Sequence, residues 1–378
     1  MVITNAKIVG PEDVIENGYV LFKKDKIIEV KSGEYHGNEE VYDAKGNILM
    51  PGFVDVHIHG CCGVDFMDAT VEDYVKIGKT LLKEGVTSFL ATTLSCDHES
   101  ILRVCKTVKK AIKLVPNLAG IHLEGPYINP KYKGAQNEKY IRLPNRRELK
   151  QYIRASGNNI SKITIAPELP GADILSISTM HSAINMVSIG HSAADYNEIK
   201  RAENFGCSGV THLTNGMNKD ESVLKGIIQA IKEAPIMCAE IICDGIHIKP
   251  EQINNIYKEL TSEKLMIVTD ALKAKHTDMD EFELFGLPCH VKDGAAYLEN
   301  GKLAGSLLTF DQAVRNVKKW TNASLIDLSY MASLNPSMCL KNGYIGSIYR
   351  KCVPDFVVLD KDLNIIDVFS KGNLVNRE

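Results

Sequence analysis

Residues 51–60 read PGFVDVHIHG, an apolar, β-branched run opened by Pro-Gly and closed by glycine, with two histidines at its far end. A run this short is strand length rather than helix length. Successive side chains on a strand point to opposite faces, so Asp55, His57 and His59 share one face. Both histidines fall at the C-terminal end of the run, just before the turn from Gly60 to Gly63.

Seven further segments share this character: VTSFLAT (86–92), AGIHLE (119–124), KITIAPE (162–168), MVSIGH (186–191), GVTHL (209–213), MCAEIIC (237–243) and KLMIVTD (264–270). Amphipathic stretches such as VEDYVKIGKTLLKEG (71–85), which a glycine closes, and HESILRVCKTVKKAIKLV (98–115) separate them. Eight strands alternating with helices predict an α/β fold, a (β/α)8 TIM-type barrel over residues 52–340. Residues 283–303, punctuated by DG and NG, read as a β-hairpin inserted after the eighth strand, and helices over 308–319 and 324–334 finish the barrel.

The flanks differ. The first fifty residues contain IVG and YVLFKKDKIIEV, and the last forty contain DFVVLD and IIDVFSKG, all short strands around polar turns. Residues 1–51 with 341–378 are expected to build one small β-sandwich domain from both termini.

With 378 residues, 44% of them apolar, the chain has material for a large barrel plus an appendage or for two ordinary domains, so the strand and helix pattern decides and length does not. The balance of 44 basic against 47 acidic residues leaves no excess charge to hold nucleic acid. MVITNAKIVG lacks the basic region and apolar core of a signal peptide, and no apolar run approaches the roughly 20 residues of a membrane helix. The expectation is a soluble, cytoplasmic protein with neither nucleic acid nor membrane as partner. Ten cysteines are scattered without a CxxC repeat and read as free thiols. Cys61 and Cys62, directly after the histidine pair, can reach a metal, but buried turn thiols are the commoner arrangement.

A lone His-x-His is weak, since histidines at that spacing are commonly structural. Company comes from four other strand ends: Glu124 in GIHLEGP, His191 in SIGHSAADY, His212 in GVTHLTN and Asp270 in IVTDA. Singly, each histidine can be a core or helix-start residue, and Asp270 can cap the next helix. Burying an imidazole or carboxylate at the end of an apolar strand is costly without a partner or a metal, and five strand ends agree. Neutral imidazoles and carboxylates are what zinc or ferrous iron binds.

This arrangement resembles the amidohydrolase superfamily. PGFVDVHIHG with GVDFMDA, HLEGPYINPKYKGAQ, GHSAADY, THLTNGM, CDGIHIKP, VTDA and LAGS are similar, in order from residue 51 to 306, to its N-acetylglucosamine-6-phosphate deacetylase family. The resemblance implies metal-dependent removal of acetate from an amino-sugar phosphate. It makes Glu124, His191 and His212 the principal ligands of a divalent ion, zinc or iron, with His57 and His59 available for a second. It assigns Asp270 as general base and acid, His247 as the substrate histidine, and Gln136, Asn215 and Gly216 to substrate binding. It also implies a homodimer.

The sequence departs from the family where an Arg, within R-E-P-G, reaches the phosphate. After Met217 it reads NKDESVLKGIIQA, without Arg or Pro-Gly, so a bidentate clamp is missing. Lys219 or Lys225 can substitute as a point charge, although a solvated surface lysine is the commoner reading of either. Three alternatives stay open: a deacetylase of another N-acetylhexosamine, galactosamine-type or weakly phosphate-dependent; a cyclic-amide hydrolase, against which no strand-end lysine stands ready to bridge two metals; and a non-catalytic amino-sugar phosphate sensor.

Overall fold

Eight parallel strands, Phe53–Ile58, Val86–Thr92, Leu118–Glu124, Ile160–Ile165, Met186–Ile189, Cys207–Val210, Cys238–Ile242 and Leu265–Val268, pair with their neighbours in chain order in the computed structural model, which describes residues 1–180 and 182–375. The ring closes just beyond the strand ends, where Asp270 N donates to the His57 carbonyl at 2.8 Å and His59 N to that of Ala271 at 2.9 Å. Parallel strands covered on both faces carry near-continuous apolar runs. Every residue of Phe53–Ile58, Val86–Thr92 and Ile160–Ile165 is accordingly buried.

The outer helices obey local rules. Thr70 caps Val71–Lys83: its hydroxyl accepts from Asp73 N at 3.2 Å, and its own N–H donates to the Asp73 carboxylate at 2.9 Å. Tyr74, Ile77, Leu81 and Leu82 recur at helical spacing and are buried. Gly85 turns the chain into the second barrel strand with φ 81°, and a Cβ there would lie 2.7 Å from Val357.

Both termini join a second sheet. Its strands run in the order Asn373–Leu374, Ile365–Ser370, Phe356–Leu359, Ile48–Pro51, Val2–Val9, Val14–Lys23 and Lys26–Ser32, with Val41–Asp43 beside Val2–Val9. This single sheet curls on itself, so that Phe22 meets Phe356 and Phe369, with ring centroids 5.6 and 6.2 Å apart, over a separate small core.

Asp355 stitches this sheet to the barrel: its carbonyl accepts from Gly52 N at 2.9 Å and its carboxylate from Lys371 N at 2.6 Å. Burial pushes the carboxyl up from 3.8 to about 6. The folded state therefore favours the protonated form; the cost of ionisation is absent in acid, grows as pH rises toward 6, and is complete above it. Asp355→Asn is expected to add about 2–3 kcal/mol at pH 8 and almost nothing at pH 4, read by urea unfolding at both values. Equal gains at the two would contradict the assignment.

The insertion after the eighth strand is larger than the expected hairpin. Glu281–Leu284, Leu287–Lys292, Ala295–Leu298 and Leu303–Ser306 form a four-stranded antiparallel meander. The extra turn is Phe285-Gly286, both at positive φ, which the apolar letters EFELFGLP conceal. The last strand is moored to the barrel: Ser306 N donates to the Asp270 carbonyl and Leu272 N to that of Ser306, each at 3.0 Å. Helices then follow at Phe310–Trp320 and Leu325–Ser329, the latter running into a π-helical turn over Tyr330–Leu334.

Candidate functional site

His191, His212 and Asp270 each lie two residues beyond a barrel strand. At each the backbone enters the left-handed region, with φ of 47°, 29° and 48°. A residue with a Cβ gives up about 1–2 kcal/mol there. Such a conformation persists only where the surroundings over-determine it, and it clusters at working sites. Together with the ends of the first and third strands, these turns bring six buried side chains together.

Glu124 is the hub. One of its oxygens lies 3.2 Å from His191 Nε2, 3.1 Å from His212 Nε2 and 3.3 Å from His57 Nε2. The other lies 3.2 Å from His59 Nε2. Asp270 Oδ1 completes the second group, 3.3 Å from His57 Nε2 and 3.2 Å from His59 Nε2. Two triads result, Glu124 with His191 and His212, and His57 with His59 and Asp270.

The hydrogen bonds behind the rings fix what the front atoms are. His191 Nδ1 lies 2.9 Å from the Tyr132 carbonyl and His212 Nδ1 3.2 Å from that of Asn215. Carbonyls only accept, so these nitrogens carry the protons and, in neutral rings, Nε2 is a bare lone pair. Those two nitrogens face each other across 3.2 Å, and both face a carboxylate oxygen. Acceptors converging without a donor call for a cation, and nitrogen with oxygen donors suits a divalent transition metal. A void of about 40 Å³ lies among His59, Glu124, His191, His212 and Asp270. The residues present therefore fit a metal.

Burial opposes ionisation of Glu124, but the imidazoles of His57, His191 and His212 crowded against it outweigh that and hold the carboxyl well below its usual range. Burial likewise opposes ionisation of Asp270, yet His57 and His59 hold it down at about 2. Both are carboxylates at neutral pH.

Behind His57 sits an ionic assembly that the sequence reading did not single out. His57 Nδ1 lies 2.9 Å from Glu240, which also accepts from His212 N at 3.1 Å and pairs with the fully buried ammonium of Lys162. One buried carboxylate thereby orients two metal-facing histidines. The available signal was a charged letter within each apolar strand, KITIAPE and MCAEIIC. Lys162→Met is expected to lower stability by about 3–5 kcal/mol in urea unfolding, because it leaves the Glu240 charge unpaired. Lys162→Met with Glu240→Gln should recover most of that, since the amide oxygen still accepts from His57. A single variant as stable as the parent would contradict the pairing.

Above the triads opens a cavity of about 360 Å³ lined by His191, His212, His247, Asn215, Gly216 and Asp270. Its size is ordinary for a small-molecule site. Asp244 holds His247: its carboxylate takes the ring Nδ1 at 2.6 Å and the His247 and Ile246 amides at 2.8 Å each. Gly216, at φ 58°, has no room for a side chain, since a Cβ would stand 2.8 Å from His191 Nδ1. Gln136 is buried and donates to Glu124 at 2.9 Å while accepting from Ser95 N at 2.6 Å, so it lies at the floor against the metal-facing carboxylate. Cys61 is buried and Cys62 Sγ turns to Thr80 Oγ1 at 3.4 Å; neither belongs to the metal-facing groups. Lys219 reaches the cavity, whereas Lys225 is a surface lysine paired with Glu221 at 2.7 Å.

The profile of the amidohydrolase family matches residues 48–375. A curated N-acetylglucosamine-6-phosphate deacetylase of Lysinibacillus sphaericus is 33% identical over 99% of this chain and 97% of its own. The crystal structure of N-acetylglucosamine-6-phosphate deacetylase from Thermotoga maritima superposes with a TM-score of 0.90 at 34% identity, covering 100% of both chains. That of a mutant of the Mycobacterium smegmatis enzyme, in complex with N-acetyl-D-glucosamine-6-phosphate, does so with a TM-score of 0.91 at 25% identity over 99% of each.

Proposed function

Since the chain belongs to the amidohydrolase family, we propose that it deacetylates an amino-sugar 6-phosphate, N-acetylglucosamine 6-phosphate foremost, to acetate and the free amine. The observation that carries this reading is the pair of adjoining triads, with Glu124 of one also touching His57 and His59 of the other, at the floor of a sugar-sized cavity. Glu124, His191 and His212 would hold one divalent ion, zinc or iron, and His57, His59 and Asp270 a second. Such an ion supplies a Lewis acid that polarises the acetyl carbonyl and lets water lose a proton near neutral pH.

The protein's own groups do the rest. Asp270, ionised and facing the cavity, takes the proton of the attacking water and returns it to the sugar nitrogen as the C–N bond breaks. An amide nitrogen leaves poorly without that proton. His247, oriented by Asp244, presents its remaining nitrogen to the substrate carbonyl or a neighbouring sugar oxygen. Gln136 keeps Glu124 in place, and Asn215 and Gly216 bound the sugar. A cytoplasmic homodimer goes with the reading, and light scattering measures the assembly.

An acetate-release assay on metal-analysed protein tests the proposal, with the gluco and galacto epimers, each with and without the 6-phosphate, and a cyclic ureide as substrates. Turnover of the phosphorylated N-acetylhexosamines is expected. Bound metal without acetate release would favour a sensor, and turnover of the ureide a cyclic-amide hydrolase.

A further inference from the structure

The cavity is bordered by three lysines that amide hydrolysis does not use: Lys131 from the segment after the third barrel strand, its ammonium 5.6 Å from the Tyr132 ring centroid, Lys219 from the loop after the sixth, and Lys302 from the inserted meander. Among the cavity's described lining residues Asp270 alone is acidic, and it faces the histidines. Lys219 and Lys302 have no carboxylate partner among the described residues, unlike Lys225 with Glu221. An unpaired charge at a cavity wall keeps its interaction free for a ligand.

Lys302 is also held in place from behind. Its N–H donates to Asn300 Oδ1 at 3.1 Å, its carbonyl accepts from Leu298 N at 2.9 Å, and the strand it leads into is tied to the Asp270 carbonyl through Ser306. Lys219 stands just ahead of the helix Glu221–Glu233, with Asp220, the residue between, fixed by its bond to Ser222 N at 2.9 Å. Two exposed lysines, from different parts of the fold, thus border one small site whose floor holds the reacting groups.

We propose that Lys302 and Lys219 together grip the anionic end of the substrate, a phosphomonoester distal to the acetamide, from within a single chain, with Lys131 adding charge at the rim. This rests on the deacetylase reading above. It locates phosphate selectivity in the meander as well as in the loop after His212. Ammonium groups act as point charges rather than as a planar fork, so the grip recognises charge more than geometry and weakens with ionic strength.

The test is the ratio of kcat/KM for N-acetylglucosamine 6-phosphate over N-acetylglucosamine, measured for the parent, Lys302→Ala, Lys219→Ala, the double variant and Lys302→Arg, with Lys225→Ala as control. Each alanine is expected to lower the ratio about tenfold, mostly through KM, and the pair about a hundredfold, while Lys302→Arg retains it and Lys225→Ala leaves it unmoved. Inorganic phosphate should inhibit the parent competitively and the double variant far more weakly. A parent that prefers the phosphorylated sugar while the double variant keeps the full ratio overturns the grip, and so does a parent with no preference. Absence of acetate release from every protein would instead overturn the deacetylase reading on which the grip rests.

Discussion

Asp270→Asn should fold, keep its melting temperature within a few degrees, and lose about a hundredfold to ten-thousandfold in kcat. Positioned general acid and base catalysis contributes that range, and an amide of the same shape accepts no proton. Two observations support the base role proposed for Asp270. Its carboxyl is held ionised by His57 and His59 despite full burial, and it borders both the void among the metal-facing groups and the substrate cavity. Its backbone is also fixed three ways: it is left-handed, its N–H donates to His57, and its carbonyl accepts from Ser306. A strained residue tied at both peptide groups is placed for its side chain. Single-turnover acetate release, with circular dichroism for the fold, measures the outcome; turnover within tenfold of the parent would remove Asp270 from the base role.

Glu124→Gln should abolish activity and, more tellingly, abolish the protein's response to metal. Among the described residues Glu124 alone lies within about 3.3 Å of four histidine nitrogens, so replacing an oxygen by an amide sets a donor against lone pairs that need a cation. Binding a ligand at a thousand times its dissociation constant stabilises a fold by about 4 kcal/mol. Thermal melts with and without divalent metal read this directly: the parent should shift upward, and Glu124→Gln should not. An equal shift in both would place the ion elsewhere.

The barrel was legible because its signals are local. Alternating apolar runs and capped amphipathic helices mark the elements wherever they finish in space, and the strand-end positions of His57, His59, Glu124, His191, His212 and Asp270 follow from them. What escaped is non-local. Lys162 and Glu240 lie 78 residues apart, and only their meeting inside the barrel turns two awkward letters into an orienting pair. Lys302 sits in a turn that reads as surface, and its place at the cavity depends on the strand that follows docking beside Asp270. The meander itself reads short because Phe285-Gly286 hides a turn among apolar letters. The curling of the terminal sheet, which brings Phe22 to Phe369, belongs to the same class of fact, since both residues are ordinary strand apolars by sequence.

On the reading proposed above, the cluster around Glu124 is a metal centre that hydrolyses the acetamide of an amino-sugar phosphate. The most direct test is to strip the protein of metal with a chelator, titrate zinc or ferrous iron back, and follow acetate release from N-acetylglucosamine 6-phosphate alongside bound metal. The stripped protein should be folded and inactive, with turnover returning in proportion to metal bound, at one or two ions per chain. Full acetate release from the stripped protein, or none from the fully loaded one, would contradict that reading.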